Sequence, residues 1–135
     1  MLKSSLDLKK VDRRDAKLVM AHFYVAFTAL LIGGLAGLLQ VLVRSGKFEL
    51  PAGIGYYQIL TVHGVVLGLV LTTFFIMGFQ LAAVSKTSGT FTDKQRTIGW
   101  IGFWIATIGL VAAAAMILTN EGTVLYTFYA PLQAH

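Results

Sequence analysis

Residues 59–84 read ILTVHGVVLGLVLTTFFIMGFQLAAV, and this stretch decides the class of fold. It contains no Asp, Glu, Lys or Arg. A helix of about 20 apolar residues crosses a hydrocarbon core about 30 Å thick. Because lipid offers no hydrogen bonds to a bare backbone, a segment that crosses it in isolation must be helical. The sequence therefore predicts a transmembrane helix here.

Two further apolar runs have the same character: LVMAHFYVAFTALLIGGLAGLLQVLV at 18–43 and IGWIGFWIATIGLVAAAAMIL at 98–118. Of the 135 residues, 56% are hydrophobic and 13% are charged, and the mean hydropathy is +0.74. This balance excludes an ordinary soluble domain. We predict an all-α, polytopic transmembrane helical bundle with three helices. Residues 1–17 are too long and too charged for the start of a cleavable signal, so we expect a cytoplasmic tail followed by an incomplete domain over 18–135.

The basic residues predict the orientation in the membrane. Six lie in the N-terminal tail and three in or beside the second loop: Lys3, Lys9, Lys10, Arg13, Arg14 and Lys17, then Lys86, Lys94 and Arg96. Only Arg44 and Lys47 lie in the first loop. Because Lys and Arg are retained on the cytoplasmic side, we expect the N-terminus and the second loop to face the cytoplasm of a cell membrane. Membrane-flanking charge also accounts for the net charge of +5 without a nucleic-acid partner.

Glycines recur inside the predicted helices. Gly33, Gly34 and Gly37 form a GGxxG cluster in the first span, and the other two spans carry three each. Small residues let helices approach closely in lipid, so helix packing is the expected role. So many contact surfaces favour a bundle larger than three helices. In the second loop, SKTSGTFTDKQRT, Thr92 or Asp93 is expected to cap the third helix.

His63 is the only ionisable residue of the second span. One interpretation is a neutral histidine that is hydrogen-bonded to a neighbouring helix. The other is an axial ligand of haem iron, because neutral imidazole binds haem and Gly64 leaves space for a flat macrocycle. The apolar neighbours suited to a porphyrin are Val62, Val66, Leu67, Phe74 and Phe75. His22 is predicted near the cytoplasmic end of the first helix, at the membrane interface and without a cofactor role. The chain has no cysteine and therefore no thiolate ligand.

The segment after the third span reads NEGTVLYTFYAPLQAH, residues 120–135. Tyr126 and Tyr129 are typical of an aromatic belt at the outer interface. A position over the edge of a cofactor is the alternative for both.

Two motifs, YYQILTVHG at 56–64 and NEGTVLYTFYAPL at 120–132, together resemble subunit I of the haem–copper oxygen reductases, the cytochrome c oxidase family. The resemblance extends over the chain beyond its N-terminal tail and is greatest to the B-type (ba3-like) branch. The loop SKTSGTFTDKQRT has no counterpart of the asparagine- and aspartate-bearing loop of the A-type proton path, which also favours the B type. Ala130 replaces the first proline of the usual pair and leaves Pro131 alone.

The resemblance implies a bundle of a dozen or more helices in which His63 is an axial ligand of a low-spin haem of b or a type. The haem lies in the outer half of the membrane, where the charge count places His63. Gly64, Tyr126 and Tyr129 would lie near that haem. A second haem and a copper ion are expected in the complete subunit, with ligands that this chain does not contain. The implied partners are the remainder of subunit I, a subunit II with a copper electron-entry site, a cytochrome c-like donor and membrane lipid.

The implied activity is reduction of O2 to water with proton pumping, in the complete complex and not in this chain alone. We expect a fragment of a longer subunit in preference to a naturally split one. Two alternatives are open at this point. The large subunit of a nitric oxide reductase shares the histidine of the second helix, and a small non-enzymatic membrane subunit would need no haem.

Overall fold

The computed structural model describes residues 12–119 and 121, and these form three long helical spans. The first is α1, Arg13–Arg44. The second consists of α2, Tyr56–Val65, a π-helical segment, Val66–Leu71, and α3, Thr72–Thr87. The third is α4, Asp93–Leu118. All three spans are long and apolar enough to cross a membrane, which confirms the predicted all-α transmembrane class.

The helices extend beyond the apolar runs because polar side chains cap their ends. The Asp12 carboxylate accepts a hydrogen bond of 2.7 Å from the backbone N–H of Arg14, so α1 begins before the first apolar residue. At the start of α4, the Thr92 hydroxyl accepts from the N–H of Gln95, and the Gln95 side chain accepts from the N–H of Thr92. This reciprocal capping box confirms Thr92 as the predicted cap. The boundary proposed between the tail and the domain at residues 17 and 18 stays a prediction.

The core lies where α1 packs along the second span. Six residues form its buried centre: Leu18, Ala26, Ala29, Val70, Phe74 and Phe103. Ala26 and Ala29 of α1 belong to the same cluster as the larger Val70, Phe74 and Phe103 of the other spans. Gly99 of α4 lies against Leu18, since a Cβ on Gly99 would lie 2.6 Å from a methyl carbon of Leu18. Packing contacts of this kind hold helices together in lipid, where hydrophobic burial contributes little.

A buried ion pair joins all three spans at one end of the bundle. The Asp15 carboxylate of α1 accepts hydrogen bonds from Arg96 of α4, at 2.8 and 3.0 Å. It also accepts from the Ser85 hydroxyl at 3.1 Å and from the N–H of Phe91 at 3.0 Å. Asp15 is fully buried and Arg96 is 8% exposed. Because every contact is charge-assisted, this Asp15–Arg96 cluster fixes how the helix ends meet.

At the opposite end, Gln58 ties the second span to the third. Its side-chain amide donates to the backbone carbonyls of Ile117 and Leu118, at 2.9 and 3.0 Å. The last carbonyls of a helix lack partners within the helix, and here a side chain from α2 satisfies two of them.

Much of the apolar surface of the described helices faces outward. The apolar windows of the three spans are only 22%, 22% and 11% buried within the described unit. Ile105, Ile108 and Leu118 of α4 are each more than 60% exposed. Exposed apolar surface on this scale marks contact with lipid or with further helices. It agrees with the prediction that the three spans begin a larger bundle.

Removing the buried carboxylate is expected to destabilise the bundle. Asp15→Ala would leave the Arg96 guanidinium buried without its main partner, at a cost of about 3 kcal/mol. Asp93→Ala is the matched control, because Asp93 also pairs with Arg96 but its side chain is 85% exposed. Such a pair contributes about 1 kcal/mol or less. The measurement is the thermal unfolding midpoint of the purified protein in detergent. Equal midpoints for the two variants would contradict the role of Asp15 as the main buried partner of Arg96.

Candidate functional site

His63 lies near the end of α2 and faces α1. Its Nδ1 atom is 2.8 Å from the backbone carbonyl oxygen of Gly33, and the ring is half-buried. A carbonyl oxygen can only accept, so Nδ1 is the donor. In a neutral imidazole, Nε2 then carries the lone pair. The contact is therefore both a hydrogen bond to a neighbouring helix, as one interpretation predicted, and an arrangement suited to a metal ligand.

Two glycines of α1 make this contact possible. A Cβ built on Gly37 would lie 2.7 Å from Cε1 and 2.8 Å from Nδ1 of His63. A Cβ on Gly33 would lie 2.5 Å from the Leu67 side chain. Real Cβ atoms essentially never come so close, so a side chain at either position would force its neighbour on the second span to move. A Cβ on Gly34 would meet nothing within 4 Å among the described residues. The predicted packing role is thus confirmed for Gly33 and Gly37.

The turn after His63 is wider than an α-helical turn. Residues Val66–Leu71 are π-helical, and the N–H of Thr72 bonds to the carbonyl of Leu69. The carbonyl of Gly68 accepts instead from the Thr72 hydroxyl, at 2.6 Å. Single π turns of this kind are frequent at functional sites.

The donor set of the described residues fits a haem better than a bare metal ion. No group of three His, Asp or Glu side chains in residues 12–119 and 121 could hold a metal ion. A haem brings four nitrogens of its own and needs only axial ligands from the protein. An imidazole whose Nδ1–H is bound by a backbone carbonyl is a common form of such a ligand. His63 has this form.

His22 lies at a different depth from His63. It is 11 residues before Gly33 on α1, which corresponds to about 16 Å along a helix. The structure buries its ring among the helices at 4% exposure, and its predicted position near the membrane interface stays a prediction. The burial follows from Gly78, where a Cβ would lie 3.1 Å from the His22 Cβ, so that the two helices close over the ring. His22 Nδ1 lies 2.8 Å from the carbonyl oxygen of Leu18 in its own helix.

The apolar residues that we expected around His63 are divided between the two depths. Leu67 packs on Gly33, close to His63. Phe74 instead lies beside the rings of His22 and Phe103, at centroid distances of 5.9 and 6.1 Å. Phe75 packs against Phe23 and Phe27. Phe74 lies 11 positions after His63, about 16 Å along a helix, so two residues of the same span need not line the same pocket.

The other candidate residues are only partly described. Gly64 is half-buried directly after His63. Tyr126 and Tyr129 lie outside the described residues, and their proposed place near a haem stays a prediction.

Sequence reasoning missed the cross-helix roles of Asp15 and Gln58. Asp15 is one of many charged residues that precede the first apolar run, and only its position three residues before that run could have drawn attention to it.

The fold and the His63 contact define a class: a multi-pass helical membrane protein with a histidine placed between two spans. The chain belongs to the family of cytochrome c and quinol oxidase polypeptide I, whose family model matches residues 17–135. The family implies haem cofactors and further subunits of a larger oxidase.

Individual relatives agree with this assignment. Cytochrome c oxidase subunit 1 of Thermus thermophilus is 35% identical over 130 residues, which are 90% of this chain and 22% of that protein. Cytochrome c oxidase subunit 1 of Corynebacterium diphtheriae is 29% identical over 134 residues, 96% of this chain and 24% of that protein. A cryo-EM structure of a haem–copper terminal oxidase dimer matches with a TM-score of 0.76 and 37% identity, over 92% of this chain and 21% of that one. The chain therefore spans about a fifth of the length of these relatives.

Proposed function

We propose that this chain contributes His63 as an axial ligand of the low-spin haem in subunit I of a terminal respiratory oxidase. The observation that carries the proposal is the hydrogen bond between His63 Nδ1 and the Gly33 carbonyl, because it leaves Nε2 free to bind iron. When bound, the haem supplies one-electron chemistry, accepting and passing on single electrons. The chain's own residues bind and orient it: α1 holds the imidazole ring, and the half-buried Gly64 leaves room beside it.

The activity of the complete protein is part of the same proposal. Electrons from a cytochrome c-like donor enter through a subunit with a copper site and reach the low-spin haem. They continue to a haem–copper centre that reduces O2 to water with proton pumping. The ligands of that centre belong to parts of the subunit beyond this chain, and the type of the low-spin haem, a or b, is open. The loop after the second span favours a B-type enzyme.

The test is the optical spectrum of the complete complex. His63→Ala is expected to abolish the low-spin haem band in a reduced-minus-oxidised difference spectrum, because the iron loses an axial nitrogen. His22→Ala is the matched control. Its ring is buried at a different depth, so the band should persist. An unchanged band in assembled His63→Ala complex would refute the ligand role and favour a packing role.

We also propose that the N-terminus and the second loop face the cytoplasm. Nine of the eleven Lys and Arg residues lie in or beside those two segments. The structure brings the start of α1, the end of α3 and the start of α4 together at the Asp15–Arg96 cluster, so these segments share one side.

Because the chain has no cysteine, single cysteines can report this orientation. Lys47→Cys and Ser88→Cys both alter exposed positions, one in each loop. A membrane-impermeant maleimide is expected to label Cys at 47 in intact cells and Cys at 88 only after permeabilisation. The reverse pattern would overturn the proposed orientation and leave the haem proposal untouched.

A further inference from the structure

We propose that Gly37 is a positioning residue for His63 and that it sets the reduction potential of the haem bound there. The absence of a side chain at position 37 lets the imidazole lie against α1, within reach of the Gly33 carbonyl. The inference rests on the proposed role of His63 as a haem ligand. It assigns a function to a residue that would itself touch neither haem nor substrate.

The atoms nearest to a side chain at position 37 all belong to the ring of His63. The three described atoms nearest to a Cβ at this position are Cε1, Nδ1 and Nε2 of His63, at 2.7, 2.8 and 3.6 Å. At Gly33 the three nearest atoms all belong to the Leu67 side chain. The two glycines lie one turn apart on the same face of α1. They therefore contact different residues of the second span: Gly33 lies against Leu67, and Gly37 lies against His63.

A methyl group at position 37 would break the hydrogen bond. Carbon atoms in contact prefer a separation of about 3.5 Å or more, so the ring would have to move by about 0.8 Å. A displacement of that size along the bond would lengthen the Nδ1–O distance from 2.8 Å to about 3.6 Å. At that distance the hydrogen bond is lost. The ring cannot move away freely, since the second span packs on α1 through Leu67 and the buried core.

The hydrogen bond matters because it controls how strongly Nε2 donates to iron. Donation of the Nδ1 proton to a carbonyl raises the basicity of the imidazole. A more basic axial ligand stabilises ferric over ferrous iron, which lowers the reduction potential. Loss of the bond should therefore raise the potential of the low-spin haem. Release of the ring should also allow it to rotate about the Nε2–iron axis.

The experiment is a redox titration of the low-spin haem band in the complete oxidase complex. Gly37→Ala is expected to keep the band and shift its midpoint to a more positive potential, with altered g values in the ferric EPR spectrum. Gly34→Ala is the matched control, since it makes the same change in the same helix where a Cβ meets no described atom within 4 Å. Its midpoint should equal that of the wild type.

A second pair of variants separates positioning from general packing. Gly33→Ala should disturb the contact through Leu67, and Leu67→Ala in addition should restore the wild-type midpoint, because the Gly33 carbonyl is still present. The same Leu67→Ala change should not rescue Gly37→Ala. Rescue of Gly37→Ala by Leu67→Ala would overturn the inference and reduce Gly37 to a packing residue.

The outcomes also separate this inference from the proposed function. Loss of the haem band in His63→Ala together with a wild-type midpoint in Gly37→Ala would refute only the inference. An intact band in His63→Ala would refute both. If Gly37→Ala fails to assemble, electron–nuclear double resonance of the wild-type ferric haem in H2O and D2O tests instead whether the Nδ1 proton of His63 is hydrogen-bonded. A hydrogen-bonded Nδ1 proton supports the inference, and a free one overturns it.

Discussion

The close approach of α1 and the second span is the constraint on which the other features of the structure depend. Two glycines of α1, Gly33 and Gly37, receive side chains from the second span, and Gly78 of α3 receives His22 and Phe23 from α1. The contact is thus reciprocal and extends over most of the length of the two helices. In lipid, apolar side chains gain little by leaving the solvent, so helices associate where their shapes fit and backbone carbonyls come within reach. The His63–Gly33 hydrogen bond is a product of that fit.

Such a fit works in only one axial register, and polar contacts at both ends fix that register. A shift of one residue would move a helix by about 1.5 Å, enough to place side chains against side chains where glycines now receive them. The Asp15–Arg96 cluster holds α1, α3 and α4 at one end, and the Gln58 amide holds α2 to the end of α4 at the other. Between these ends the contacts are mostly apolar. These buried polar groups thus specify one register of the helices. Among the described residues, every buried side-chain nitrogen and oxygen atom has a hydrogen-bond partner.

The three spans were predicted well and His63 was singled out as a candidate, because both steps depend on local composition. Apolar runs long enough to cross lipid are visible without any tertiary information, and an ionisable residue inside one stands out. The cap at Thr92 was predictable for the same reason. The hydrogen bond between His63 and the Gly33 carbonyl could not be predicted in this way, since it depends on the register between two helices. Phe74 was assigned to the wrong pocket because proximity in one span does not determine depth, and Asp15 resembled any other charge near a membrane surface.

The buried His22 and the half-buried His63 differ in a way that distinguishes a core residue from a candidate ligand. His22 bonds to Leu18 in its own helix, and its ring is enclosed by Phe74 and Phe103. Because this bond lies within one helix, it does not depend on the register between α1 and its neighbours. His63 bonds across the helix contact to a carbonyl that, in an α-helix, already accepts the N–H of Gly37. A carbonyl oxygen has two lone pairs and can accept both. The Gly33 carbonyl therefore accepts both the N–H of Gly37 and the Nδ1–H of His63, whose ring occupies the space left by the missing side chain of Gly37. In a neutral imidazole, Nε2 then carries the lone pair. A chain that needed only to pack two helices could use an apolar residue at position 63. A half-buried imidazole whose Nδ1 is held by α1, and whose Nε2 has no hydrogen-bond partner among the described residues, has a form suited to an axial haem ligand.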